Sequence, residues 1–152
     1  MDPVSAAVAA VGFAASLATL VGLVTESSRV LHNLWDKVRD TPKDVERLLD
    51  IVRVTESLVK EIAGLIPEGS GDVPAMLQEI WNARAGLMLV DMRGLGQVVL
   101  ELQNSIESET ISRKHIRTSI RKFFKDDKIL SYERKLSKHI ETFTLVLSML
   151  SA

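Results

Sequence analysis

The stretch Pro3-Val4-Ser5-Ala6-Ala7-Val8-Ala9-Ala10-Val11-Gly12-Phe13-Ala14-Ala15-Ser16-Leu17-Ala18-Thr19-Leu20-Val21-Gly22-Leu23-Val24 carries no charged side chain. Nine of its residues are Val, Leu or Phe, and seven are Ala. A run of this length matches the roughly 20 helical residues that cross a hydrocarbon core. It is equally suited to be the central helix of a soluble bundle. Its nine large apolar residues favour insertion by roughly 3 to 5 kcal/mol. Pro3, Gly12, Gly22, Ser5, Ser16 and Thr19 subtract from that sum. The run therefore lies near the threshold between protein core and lipid core.

The apolar stripe does not stop where the charges begin. Phe13, Leu17, Leu20, Val24, Leu31, Leu34, Trp35 and Val38 recur at helical spacing through Glu26, Arg29 and Asp36. Asp2 reads as an N-cap and Pro3 as the first helical residue, where its missing N–H costs nothing. The spacing predicts one helix over 3–39, about 55 Å long. Ala6, Ala10, Ala14, Ala18 and Gly22 form an unbroken i+4 row of small residues along it. Such a row lets another helix backbone approach closely, in a membrane or outside one.

Four further helices follow from the pattern. Thr41-Pro42-Lys43-Asp44 is a helix start, and Val45, Leu48, Leu49, Val52, Val59, Ile62 and Ile66 make one apolar face. Gly64 and Pro67 end it, and Pro67 to Asp72 is the clearest loop. A third helix from about Pro74 has the face Leu77, Ile80, Trp81, Leu87, Met88, Leu95, Val98, Val99, Leu102 and Ile106. Gly94 and Gly96 interrupt it, each costing about 1 kcal/mol relative to Ala. They mark a kink, a break, or a close approach of helix 1. Ile116, Ile120, Phe123 and Phe124 give a short helix over about 110–125. Asp126-Asp127 opens a last one with the face Ile129, Leu130, Leu136, Ile140, Phe143, Leu147 and Leu150. These two could also be one bent helix. No stretch alternates as a strand does. The expected fold is all-α: one domain over 1–152, an antiparallel bundle of four to five helices with a long N-terminal helix.

Composition narrows the function. The net charge is -1 and aromatics make up 5% of the chain, so nothing global points to nucleic acid. There are no cysteines, hence no thiolate chemistry and no sulfur-bound zinc. The opening Met1-Asp2-Pro3 lacks the positive region of a signal peptide. His32, His115 and His139 fall on three different predicted helices, and only His32 with Asp36 has a metal-like spacing. Arg93-Gly94-Leu95-Gly96 lies mid-helix and follows no strand, so it is not a dinucleotide loop. No catalytic, cofactor or metal site is expected, and the chain reads as a non-enzyme. One charged feature stands out: Lys114, Arg117, Arg121, Lys125 and Lys128 recur at helical spacing opposite Ile120 and Phe124. Each basic residue of such a strip adds about 1 kcal/mol of attraction to an anionic membrane surface. The competing reading is a solvated helix face, with Glu107, Glu109, Asp126 and Asp127 partly cancelling the charge.

With these features in order, the chain resembles the fungal HeLo-like N-terminal domains that precede NLR-like (STAND) modules or amyloid-signalling segments. The likeness rests on Met1-Asp2-Pro3-Val4-Ser5 with the small apolar helix after it, on Val45 to Leu58, on Ile80-Trp81 through Leu102, and on Phe123-Phe124-Lys125 to Leu150. It spans nearly the whole chain. It implies a helical bundle, similar in shape to the four-helix executioner domain of the mixed-lineage kinase-like pseudokinase, whose first helix targets membranes. It implies a cytoplasmic resting state, self-association through a downstream NLR-like or amyloid-signalling region, and permeabilisation of the plasma membrane in regulated cell death during non-self recognition. On this reading Ala152 ends an N-terminal piece of a longer protein. Val4, Val8, Val11, Phe13, Leu17, Leu20, Val21 and Val24 would insert, and the basic strip would meet anionic headgroups. The alternative is an adaptor that uses the small-residue row for homotypic or heterotypic helix association without lipid. A third reading is a constitutive single-span anchor.

Overall fold

The computed structural model of the chain describes residues 3–37, 43–66, 73–108, 113–125 and 127–151, with side chains described over 12–36, 43–66, 73–107, 118–125 and 127–151. Five helices account for nearly all of them: α1 (Pro3–Lys37), α2 (Lys43–Leu65), α3 (Ala75–Ser108), α4 (Arg113–Phe124) and α5 (Asp127–Ser151). Among the described residues there is no strand. At 35 residues α1 is about 52 Å long. The predicted boundary signals Asp2, Thr41-Pro42 and Pro67 to Asp72 lie outside the described residues, as do Val38 and Arg39. Asp44 and Glu46 occupy the first turn of α2, where the positive helix end favours them.

The four long helices form the bundle. α1 packs on α3 and α2, α5 packs on α2 and α3, and α4 touches α3 and α5. Directions follow from cross-helix pairs. Phe13 meets Trp81 near one end of α1 and α3, and Ser27 meets Gly96 further along both, so these neighbours are parallel. Trp81–Phe143 and Asp91–His139 run in opposite order, so α3 and α5 are antiparallel. α2 and α3 follow each other in the chain yet take opposite corners of the bundle, which seats α3 against α1.

The core face of each helix is the one the spacing predicts, with informative exceptions. Phe13, Leu17, Leu20, Val24, Leu31 and Leu34 of α1 are buried, as are Val45, Leu48, Leu49, Val52, Val59 and Ile62 of α2. In α3, Leu87 is 55% exposed, and Ala85 and Met92 take core positions instead. In α5, Val146 joins Ile129, Leu136 and Phe143, while Leu130, Ile140, Leu147 and Leu150 are only half-buried. The centre is an aromatic chain across three helices. Phe13 and Trp81 rings lie 4.8 Å apart, and Trp81 and Phe143 6.0 Å apart. Both separations fall in the range of favourable tilted contacts.

α3 continues through Gly94 and Gly96 as unbroken α-helix. A break is thereby excluded, and close approach is realised on two sides. A side chain at Gly94 would run into the Tyr132 hydroxyl of α5, and a Cβ at Gly96 would stand 3.3 Å from Ser27 Oγ of α1. α4 and α5 are separate helices.

Candidate functional site

The uncharged run divides along its length into two faces. Phe13, Leu17, Leu20 and Val24 are buried in the bundle, and Val21 and Leu23 are half-buried. Gly12, Ala14, Ala15, Ala18, Thr19 and Gly22 are exposed. The side chains of Val4, Val8 and Val11, also named for insertion, lie outside the described residues, as do those of Ala6 and Ala10. The described part of the small-residue row, Ala14, Ala18 and Gly22, therefore faces outward. Nothing lies within 4 Å of the space a Cβ would fill at Gly12 or Gly22.

Specific contacts dock this segment. Trp81 Nε1 donates to Ser16 Oγ at 2.7 Å, and Ser16 Oγ in turn donates to the Phe13 carbonyl at 3.0 Å. Thr19 Oγ1 donates to the Ala15 carbonyl at 3.0 Å. Both hydroxyls of residues 12–24 thus have partners inside their own helix, which lowers their cost in an apolar medium. Pulling Phe13, Leu17, Leu20 and Val24 out into water would cost about 1.5–3 kcal/mol each. Moving them into lipid would return that term for these four side chains, but it would lose their packing and the Trp81 contacts and uncover the apolar residues of α2 and α3 beneath them.

The basic strip is less continuous than its spacing. Arg121 lies on α4, Lys125 in the turn after it and Lys128 on α5, so the break between the helices interrupts the register. All three are exposed. The side chains of Lys114 and Arg117 lie outside the described residues. Ile120 and Phe124 on the opposite face are buried, and Phe123 stands edge-on to Phe124 at 5.4 Å. α3 is the helix that both α1 and α4 touch.

A buried polar cluster between α3 and α5 has no counterpart in the sequence reading. His139 Nε2 and Asp91 Oδ2 are 2.7 Å apart, and each residue is 3% exposed. Lys135 Nζ stands 4.0 Å from the other Asp91 oxygen. His139 Nδ1 is buried without a partner. On the α2 side, Arg47 Nε donates to both Glu133 oxygens, at 3.1 and 3.3 Å. The available signal was register. Asp91 falls among Met88, Met92 and Leu95, and His139 between Leu136 and Phe143, so each polar residue occupies a core position of an apolar face.

The metal-like pair is an exposed surface contact. His32 Nε2 lies 3.5 Å from Asp36 Oδ2, and His32 Nδ1 lies 3.0 Å from Arg53 Nη2. Because a guanidinium only donates, Nδ1 is the acceptor and the ring proton faces Asp36. Among the described residues no third ligand joins them. Next along α1, Arg29 pairs with Glu26 through two hydrogen bonds. These bonds hold the Glu26 carboxyl below the usual range and raise Arg29. The pair stays charged at neutral pH and loosens as pH falls through the lowered Glu26 value.

Between α1 and α3 runs a groove of about 260 Å³. Leu23, Ser27, Val30, Gly96 and Leu100 line it, and Glu26, Arg93 and Gln97 stand at its rim. Among the described residues, no helix is long and apolar enough to cross a membrane. Comparison with protein-family models, with curated proteins and with solved structures gave no match.

Proposed function

We propose that this chain is a membrane-targeting effector bundle of the HeLo-like kind, with no enzymatic activity, in which α1 moves between the bundle core and a lipid bilayer. The observation that carries the reading is the position of the uncharged run. The same residues that make it apolar enough for lipid, Phe13, Leu17, Leu20 and Val24, are buried in the protein. Release into water is costly, whereas transfer into lipid keeps those side chains in apolar surroundings. Release is therefore contingent on a membrane, which suits a resting cytoplasmic protein that acts at the plasma membrane. The exposed Arg121, Lys125 and Lys128 would meet anionic headgroups first. Self-association, driven by a downstream NLR-like or amyloid-signalling region, would gather several such helices into a permeabilising assembly that ends in cell death.

Dye leakage from anionic vesicles tests this. The full chain should release the dye, and a variant lacking residues 1–24 should not. Equal leakage from both would remove the proposal.

A second reading is favoured by one observation: Ala14, Ala18 and Gly22 face outward, with open space beside Gly22. On this reading the bundle stays closed and is an adaptor that docks a partner helix on that row. Sedimentation with and without vesicles separates the two. A stable oligomer that ignores lipid supports the adaptor.

A further inference from the structure

The α1–α3 groove has a composition that neither reading of α1 uses. The small residues Ser27 and Gly96, which approach closely, line it together with the apolar Leu23, Val30 and Leu100. Leu100 is 44% exposed, so an apolar wall is open to water at this point. The rim charges are unequal in availability. Glu26 is engaged by Arg29, and that pair is neutral as a unit. Arg93 is exposed, and among the described residues it has no hydrogen-bond or ion-pair partner. Gln97 lies one turn further along the same edge of α3 and supplies a second donor. The groove thus pairs an apolar trough with one free cation.

From this pairing we infer that the groove binds a single-chain fatty carboxylate of medium length, with its carboxylate on Arg93 and Gln97 and its chain laid over Ser27 and Gly96 between Leu23, Val30 and Leu100. Charge selects the head. One guanidinium forms a two-pronged pair with a carboxylate, and a doubly charged phosphate would meet no second cation at this rim. Volume selects the tail. An apolar cavity of roughly 150 Å³ holds the six carbons of benzene, so about 260 Å³ seats a chain of about ten carbons. The inference stands apart from the membrane reading, because it needs α1 to stay docked on α3.

The test is a titration of the ¹⁵N-labelled full chain with decanoate below its micelle concentration, followed by amide chemical shifts. Saturable shifts centred on Ser27, Gly96 and Leu100 are expected. Arg93→Glu should weaken binding by about tenfold or more, and Arg93→Lys should keep much of it, since a charge-assisted bond is being removed or retained. Leu100→Gln should also weaken it, through the chain rather than the head. Decanol should bind more weakly than decanoate. The inference fails if decanol and decanoate bind alike, or if Arg93→Glu binds as wild type does. It also fails if the same amides shift with protein concentration alone, which would make a second copy of the chain the occupant. All three variants change exposed side chains, and dispersed spectra with unchanged core resonances establish that each is folded.

Discussion

Gly94 and Gly86 lie two turns apart on the same helix and should respond to alanine in opposite senses. A Cβ at Gly86 meets nothing within 4 Å, so Gly86→Ala should stabilise by about 0.4–1 kcal/mol through the helix propensity it adds and the unfolded-chain freedom it removes. At Gly94 the new methyl meets the Tyr132 ring and hydroxyl, so Gly94→Ala should destabilise by roughly 1–3 kcal/mol, as overpacking does. Urea midpoints at constant slope check both, and Tyr132→Leu should remove most of the Gly94→Ala penalty. The buried Asp91–His139 pair makes a second residue-level prediction. Asp91→Ala leaves His139 without its only partner and should cost about 2–4 kcal/mol. The double variant Asp91→Leu with His139→Leu should cost less than the sum of the two single changes, because it strands no polar group. Sequence reading placed the apolar neighbours of both residues but had no way to place the pair. A charged residue at a core register looks like a surface residue until the opposite helix supplies its partner, 48 residues away.

At the level of elements, periodicity located what depends on one helix and missed what depends on two. The faces of α1 and α2, each packed on two neighbours, follow from spacing. The exposed Leu87 and the buried Ala85 and Met92 show the limit in α3. That helix touches three others, α1, α4 and α5, so its buried arc is set by more neighbours than theirs and by the glycines that admit two of them. The basic strip shows another limit: helical spacing of Lys and Arg persists in the sequence across a junction that the backbone does not carry through as helix. Of the described side chains of α4 only Ile120 and Phe124 are buried. Ile120→Ala removes one of these two anchors and should cost α4 about 2–5 kcal/mol of local stability while leaving the four-helix core in place. Hydrogen exchange checks this: amides of residues 113–124 should lose protection, and those of α1, α2, α3 and α5 should keep theirs. Loss of protection throughout would mean that α4 is an integral part of the core.

For the whole molecule, the question is what holds α1 down. On the proposed function the uncharged run has a home in lipid as well as in protein, because its large side chains are few and its small ones many. Its retention in the bundle therefore depends on the shape and polarity of the site that receives it, above all Trp81. That ring meets Phe13 and Phe143 and gives its N–H to Ser16, so it ties α1 to α3 and α5 at one point. Trp81→Ala alters this receiving site and leaves the sequence of α1 untouched. The change should cost about 3–5 kcal/mol of bundle stability, while the affinity of the free α1 segment for a bilayer is unaltered. If α1 partitions between the two environments, a weaker hold in one shifts it towards the other. Leakage from anionic vesicles should therefore rise above wild type at equal protein concentration, whereas deletion of residues 1–24 should abolish it. Circular dichroism showing retained helix in Trp81→Ala separates release from unfolding. Leakage that stays at the wild-type level in a folded but destabilised Trp81→Ala would mean that the docking of α1 does not control membrane action.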